Sequence, residues 1–116
     1  GLMIHDMHVD NDAFMKIKEG TKTVELRLND VKRRNLHVGE IIILENRTSK
    51  EKINVKIVGL KKYPSFKELY ADFSPISLGY NKEETASYHD MEKYYSKEEI
   101  LKYGVLAIEI VLIWLL

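Results

Sequence analysis

The chain has 116 residues, with 18 Lys/Arg balanced by 18 Asp/Glu and no cysteine. That length fits one domain, 1–116, with a single core, while disulfides and thiolate metal sites are excluded and a reducing compartment suits the composition. The neutral total hides an asymmetry: residues 1–67 carry 14 cations against 9 carboxylates, and residues 68–116 carry 4 against 9. One surface is therefore expected to attract a polyanion, unless the two halves interleave in the fold and cancel.

Met3 to Val9 reads as a first strand. Asp10 is a good N-cap, and Val9 is placed to staple onto Phe14 at the start of a helix running to about Glu19. Its buried stripe is Ala13, Phe14 and Ile17. Gly20 suits a helix stop, where a left-handed backbone is common. Gly20-Thr21-Lys22-Thr23-Val24-Glu25-Leu26-Arg27 then places a lysine, two hydroxyls, a carboxylate and a guanidinium in eight residues. Val24 and Leu26 read as the inward half of a strand, with Glu25 and Arg27 on its other face. By strand parity Lys22 shares the inward face. It is expected at a barrel mouth or partly buried, where its pKa falls and it becomes usable as a base.

Asn29 to His37 is a short polar connection holding Lys32, Arg33 and Arg34 in a row, and arginine suits bidentate phosphate recognition. Ile41 to Leu44 forms a short buried strand. A turn at Asn46–Lys50 leads to a strand alternating Ile53, Val55 and Ile57, and Gly59 marks a bulge or corner. Ser65 with Glu68 opens a helix to about Phe73, and Ser74 to Tyr80 is a loop. Asn81 with Glu84 opens a second helix to about Tyr95, with Tyr88, Met91 and Tyr95 on one face. Ser96 with Glu99 opens a third, ended by Gly104. A last strand runs from Val105 through at least Ile113.

Several functions can be set aside. His5, His8, His37 and His89 lack the spacing of a zinc site, and no Walker or dinucleotide fingerprint occurs, so no metal or cofactor is expected. The apolar run from Val105 to Leu116 contains Glu109 and is shorter than the ~20 residues of a membrane helix. No cationic segment followed by an apolar one marks a secretory signal. The expected location is cytoplasmic, with no membrane partner. Tyr80, Tyr88, Tyr94, Tyr95 and Tyr103 fall in the helical half, where they either pack or stack on a base.

Gly20, Lys22, Glu25 and Arg27 form a G-x-K-x-x-E-x-R pattern that resembles the ASCH domain of the PUA-like superfamily. The likeness continues in Leu36-His37-Val38-Gly39-Glu40-Ile41, in Lys61-Lys62-Tyr63-Pro64-Ser65-Phe66 and in Tyr103-Gly104-Val105-Leu106-Ala107-Ile108. It implies an α+β fold: a partly open, mostly antiparallel barrel of five or six strands with helices covering it. It also implies RNA or a nucleoside or nucleotide as partner. The ligand would lie in a cleft between the signature strand, the 29–37 connection and the helices at 65–95. Lys22, with Thr23 beside it, Arg27, Arg33 and Arg34 would meet phosphate, and Glu25 would accept from a base or ribose. Tyr88 and His89 would close over the cleft.

Two other readings follow from the same residues. One branch of the family hydrolyses an amide on acetylated cytidine, using a lysine and, three positions on, a threonine nucleophile. Here Glu25 stands at the threonine position, and a carboxylate does not replace that hydroxyl without a different mechanism. Ribonuclease chemistry needs a base near the ribose 2′-hydroxyl and cations at the phosphorane, so in an enzyme Lys22 and Glu25 would be catalytic. The third reading is a protein-interaction module or homodimer built on Leu112-Ile113-Trp114-Leu115-Leu116.

Overall fold

The computed structural model describes residues 3–114. In chain order these form β1 (Ile4–Val9), α1 (Asn11–Glu19), β2 (Val24–Leu28), a 3₁₀ turn at Arg33–Asn35, β3 (Ile41–Asn46) and β4 (Lys52–Tyr63). Then come α2 (Phe66–Asp72), a 3₁₀ segment at Tyr88–Lys93, α3 (Lys97–Tyr103) and β5 (Val105–Ile113). The five strands make one curled half-barrel sheet in the order β1-β3-β4-β5-β2. Only β1 and β3 are parallel; the other three pairings are antiparallel. The expected α+β fold with a partly open, mostly antiparallel barrel is what the chain adopts, with five strands.

Strand order leaves β1 and β2 as the two free edges. At one end they approach closely enough for Arg27 Nη2 of β2 to donate to His8 O of β1 at 2.7 Å. This open seam is where the sheet fails to close.

Two apolar clusters lie on the two sides of the sheet. Phe14 and Ile17 of α1 pack with Met7, Ile42, Leu44, Val55, Ile57, Leu106 and Ile108. Phe66 and Leu69 of α2 and Leu78 of the following loop pack with Val24, Leu26, Leu28, Val105 and Ala107. The first half of β5 feeds both clusters, which is why it reads as a continuous apolar run. β2 alternates as expected, with Val24, Leu26 and Leu28 against the helices. Glu25 pairs across from Ile108 and Arg27 from Leu106, which places both on the α1 side.

Local signals account for most boundaries. Gly20 ends α1 in a left-handed conformation, φ 91°, and its N–H reaches the carbonyls of Lys16 and Ile17. At Gly59 the β4–β5 register shifts, so the expected bulge lies inside one long strand. Ser96 and Glu99 form a complete capping box for α3.

The expected helix from Asn81 to Tyr95 does not form. Glu84 does accept from the Asn81 N–H at 2.6 Å, but residues 81–85 are all exposed and the only regular piece is the 3₁₀ segment. Asn-Lys-Glu-Glu-Thr-Ala-Ser offers nothing to bury, and a short helix without an apolar stripe gains no packing to offset its nucleation cost. No helix among the described residues is long and apolar enough to cross a membrane. Of the apolar C-terminal run, Trp114 is 77% exposed, and Leu115 and Leu116 lie outside the described residues.

Candidate functional site

A cleft of 410 Å³ opens along the seam. Its floor is built from the signature strand, one wall from His8 to Asp10 at the end of β1 with Asp12 and Ala13 of α1, and the other from the segment Leu78 to Tyr95 together with Tyr70. The volume falls within the range of small-molecule sites, ~300–1,000 Å³.

Lys22 and Glu25 are both buried, at 6% and 8% exposure. The Lys22 ammonium donates to the carbonyls of Val24 and Leu78, each at 2.8 Å, and lies 3.4 Å from Glu25 Oε1. An ammonium has three N–H donors, so all of them are engaged. Arg27 grips the other oxygen, Glu25 Oε2, through Nε at 2.9 Å and Nη2 at 2.6 Å, while Nη2 also reaches His8 O. That leaves the two N–H groups of Arg27 Nη1 without a partner among the described residues. Lys22 is thus a buried anchor at the barrel mouth, and Glu25 is held between two cations.

Burial pushes the Lys22 pKa down, and the attraction of Glu25 offsets this only in part. For Glu25, burial acts upward, but Lys22 and Arg27 together outweigh it and hold the carboxyl below its usual range. With three acceptors around the Lys22 Nζ and two cationic side chains around Glu25, the geometry fits an ionised triad with one surplus positive charge at the floor.

Loop geometry fixes this network from above. Gly79 has φ 108°, and a Cβ there would lie 3.0 Å from Lys22 Cδ and 3.3 Å from its Nζ. Lys16 of α1 holds the same loop by donating to Gly79 O at 2.7 Å, and it also pairs with Asp12 at 2.9 Å. Tyrosines supply the apolar wall. Tyr70 and Tyr80 meet edge to face with hydroxyls 2.9 Å apart, and Tyr80 also donates to Asp90 at 2.7 Å. Tyr95 stacks on Phe66 with ring centres 5.9 Å apart. Burial, with those partners, raises the Tyr80 pKa, so its hydroxyl stays a donor.

Electrostatically the cleft is mixed. Its charged lining is Lys22, Arg27, Arg47 and Lys93 against Asp10, Asp12, Glu25, Glu84 and Asp90, four cations facing five carboxylates. Arg47 lies 3.3 Å from Asp10, and Lys16 stands 4.0 Å from Glu84. The basic first half and acidic second half of the chain thus meet across the cleft, and no cationic surplus results.

The expected site residues divide accordingly. Lys22, Glu25 and Arg27 come together. Thr23 is adjacent but exposed, and it lines a separate 150 Å³ pocket with Ile17 and Ile110. Arg33 and Arg34 do not line the cleft. Arg33 pairs with Asp30 at 3.0 Å, Arg34 donates to Asn29 O, and the connection is anchored by Asn29 N–H to Gly104 O. Tyr88 and His89 are also outside it: they stack on each other with ring centres 4.2 Å apart, and His89 lies 3.1 Å from Glu92. Tyr80, Tyr94 and Tyr95 fill the aromatic wall, with Gly79, Asp90 and Lys16 behind them. Gly79 and Asp90 carry no local pattern, because the loop that brings them is more than fifty residues from the signature, and Lys16, although only six residues before Lys22, gains its role only when that loop reaches it.

Among the described residues no three His, Asp or Glu side chains are grouped to hold a metal. The other buried carboxylate, Glu40, sits at the far end of β1. It accepts from His5 Nε2 at 2.8 Å and from the backbone N–H groups of His37 and Met3. The His5 hydrogen bond is the largest influence lowering its pKa to about 2.

The family model described as the ASCH domain matches residues 7–113. The chain belongs to the ASCH family. Among solved structures, the hypothetical protein PH0355 is 33% identical, with a TM-score of 0.81 over 96% of this chain and 100% of that one. Protein PF0455 from Pyrococcus furiosus is 27% identical, with a TM-score of 0.71 over 97% and 100%. An ASCH domain from Lactobacillus crispatus shares the fold at 15% identity, with a TM-score of 0.66 over 94% of this chain and 79% of that one. No curated protein matches the sequence. Within this ASCH domain, the G-x-K-x-x-E-x-R stretch forms the cleft floor.

Proposed function

We propose that this ASCH domain binds one nucleoside unit in the seam cleft, either alone or as part of a nucleotide or a single-stranded RNA. The observation that carries the reading is the pairing of a tyrosine wall with the two unused N–H donors of Arg27 Nη1 inside a 410 Å³ cavity. Aromatic faces stack any base, and the two diverging N–H donors of one fixed guanidinium nitrogen reach carbonyl or ring-nitrogen acceptors on its edge. Glu25, itself held by Lys22, keeps that guanidinium in place.

The network also bears on catalysis. Lys22 has its donors engaged and Glu25 has both oxygens occupied, which favours recognition over proton transfer by these two groups. The test is a titration of wild-type and Arg27→Ala protein with nucleosides, nucleotides and a short labelled RNA, with RNA cleavage read from the same samples. Binding weakened about tenfold or more by Arg27→Ala, without cleavage, supports the reading. Unchanged affinity contradicts the site, and RNA cleavage abolished by Lys22→Ala would move the protein to the nuclease class.

A further inference from the structure

We infer that the cleft selects the unphosphorylated nucleoside over its 5′-monophosphate, with Glu84 and Asp90 as the residues that exclude phosphate. The inference rests on the cleft being a nucleoside site and names the ligand class more narrowly.

A phosphate monoester brings ~1.5–2 negative charges near neutral pH, and protein sites for it gather arginine forks, lysines or open helix N-termini. Here the donors left open are Arg27 Nη1 on the floor and Lys93 on the wall, set among five lining carboxylates. Its two floor cations already share Glu25. The α1 N-terminus beside the cleft already carries two carboxylates, Asp10 at the cap position and Asp12 in the first turn, themselves matched by Arg47 and Lys16.

The charge pattern also has a direction. The surplus positive charge lies on the floor, at Arg27, while Glu84 and Asp90 stand on the opposite wall. Asp90 accepts from Tyr80 and has no Lys, Arg or His within 4 Å among the described residues, and Lys16 reaches Glu84 only at 4.0 Å. Lys93, the remaining cation of that wall, lies over the Tyr94 ring, 5.2 Å from its centre. A base edge carrying acceptors fits inward against Arg27. The ribose hydroxyls then face carboxylates, which accept from them. A 5′-phosphate on the same ribose meets those carboxylates as a like charge.

The experiment is a chemical-shift titration at fixed ionic strength. The probes are adenosine, guanosine, cytidine and uridine, each compared with its own 5′-monophosphate, on wild-type and Glu84→Lys protein. Residue 84 is exposed in an irregular loop, where its carboxylate accepts from the Asn81 N–H, so Glu84→Gln, which keeps an acceptor there without the charge, is titrated alongside. The expected result is that at least one nucleoside shifts the Lys22–Arg27 resonances and binds about tenfold tighter than its monophosphate, with Glu84→Lys narrowing that ratio. A monophosphate that binds as tightly as its nucleoside, at those same resonances, overturns the selectivity and leaves the cleft reading standing. If neither class of probe moves those resonances, the cleft reading itself falls and takes the selectivity with it.

Discussion

Glu25 is the residue on which the site's stability turns. It neutralises two buried cations at once, and removing one member of a buried ion network leaves uncompensated charge, at a cost of ~3–5 kcal/mol. Glu25→Gln is expected to lower unfolding stability by about 3 kcal/mol at neutral pH, read from urea midpoints. Adding Lys22→Met to that variant should restore part of the loss, because only Arg27 is then left unmatched. A second residue-scale prediction concerns Glu40, whose carboxyl is depressed to about 2 from an ordinary 4.5. A depressed carboxylate stabilises the fold above its unfolded value, and the contribution is lost as pH falls from about 4.5 to about 2. Wild-type protein should lose stability across that window. Glu40→Gln should be less stable at pH 6 and flatter in the same acid range.

At the scale of elements, legibility followed how local the deciding contact is. Strand and helix ends set by a nearby glycine or capping pair, such as Gly20, Gly59 and Ser96 with Glu99, could be read directly because their partners lie within a few residues. The Asn81–Glu84 pair has the same local pattern, and its hydrogen bond is present, yet no helix follows. A cap orients a chain end, but an apolar stripe is what stabilises the element. Ser96→Ala is accordingly expected to cost ~1 kcal/mol in thermal or urea unfolding, since it removes a cap from a helix that does have packing partners. Gly79→Ala tests an element that no local pattern announced. It forces a side chain into a left-handed backbone, at ~1–2 kcal/mol, and pushes against Lys22. Stability and nucleoside affinity should fall together, whereas a loop without a positioning role would lose stability alone.

For the whole molecule, the sheet order explains why half of the site was visible in the sequence and half was not. Lys22, Glu25 and Arg27 are neighbours along one strand, so their chemistry can be read from spacing. The opposite wall, with Gly79, Tyr80, Asp90, Tyr94 and Tyr95, arrives only when β2 and β1 become the two edges of a curled sheet and the 74–95 segment crosses the gap. Arg33, Arg34, Tyr88 and His89 are close to the signature in sequence or in composition logic, but the fold turns them to other partners. The first two settle against Asp30 and Asn29, and the second two against each other. The same topology leaves Val58, Val111 and Trp114 exposed, a competing surface that any binding experiment must distinguish from the cleft. The most direct measurement is therefore a residue-by-residue map of amide shifts on adding a saturating nucleoside. The account predicts the largest changes at Lys22–Arg27 and at Gly79, Tyr80, Tyr94 and Tyr95. Changes centred instead on Val58, Val111 and Trp114, or on Lys32–Arg34, would contradict it.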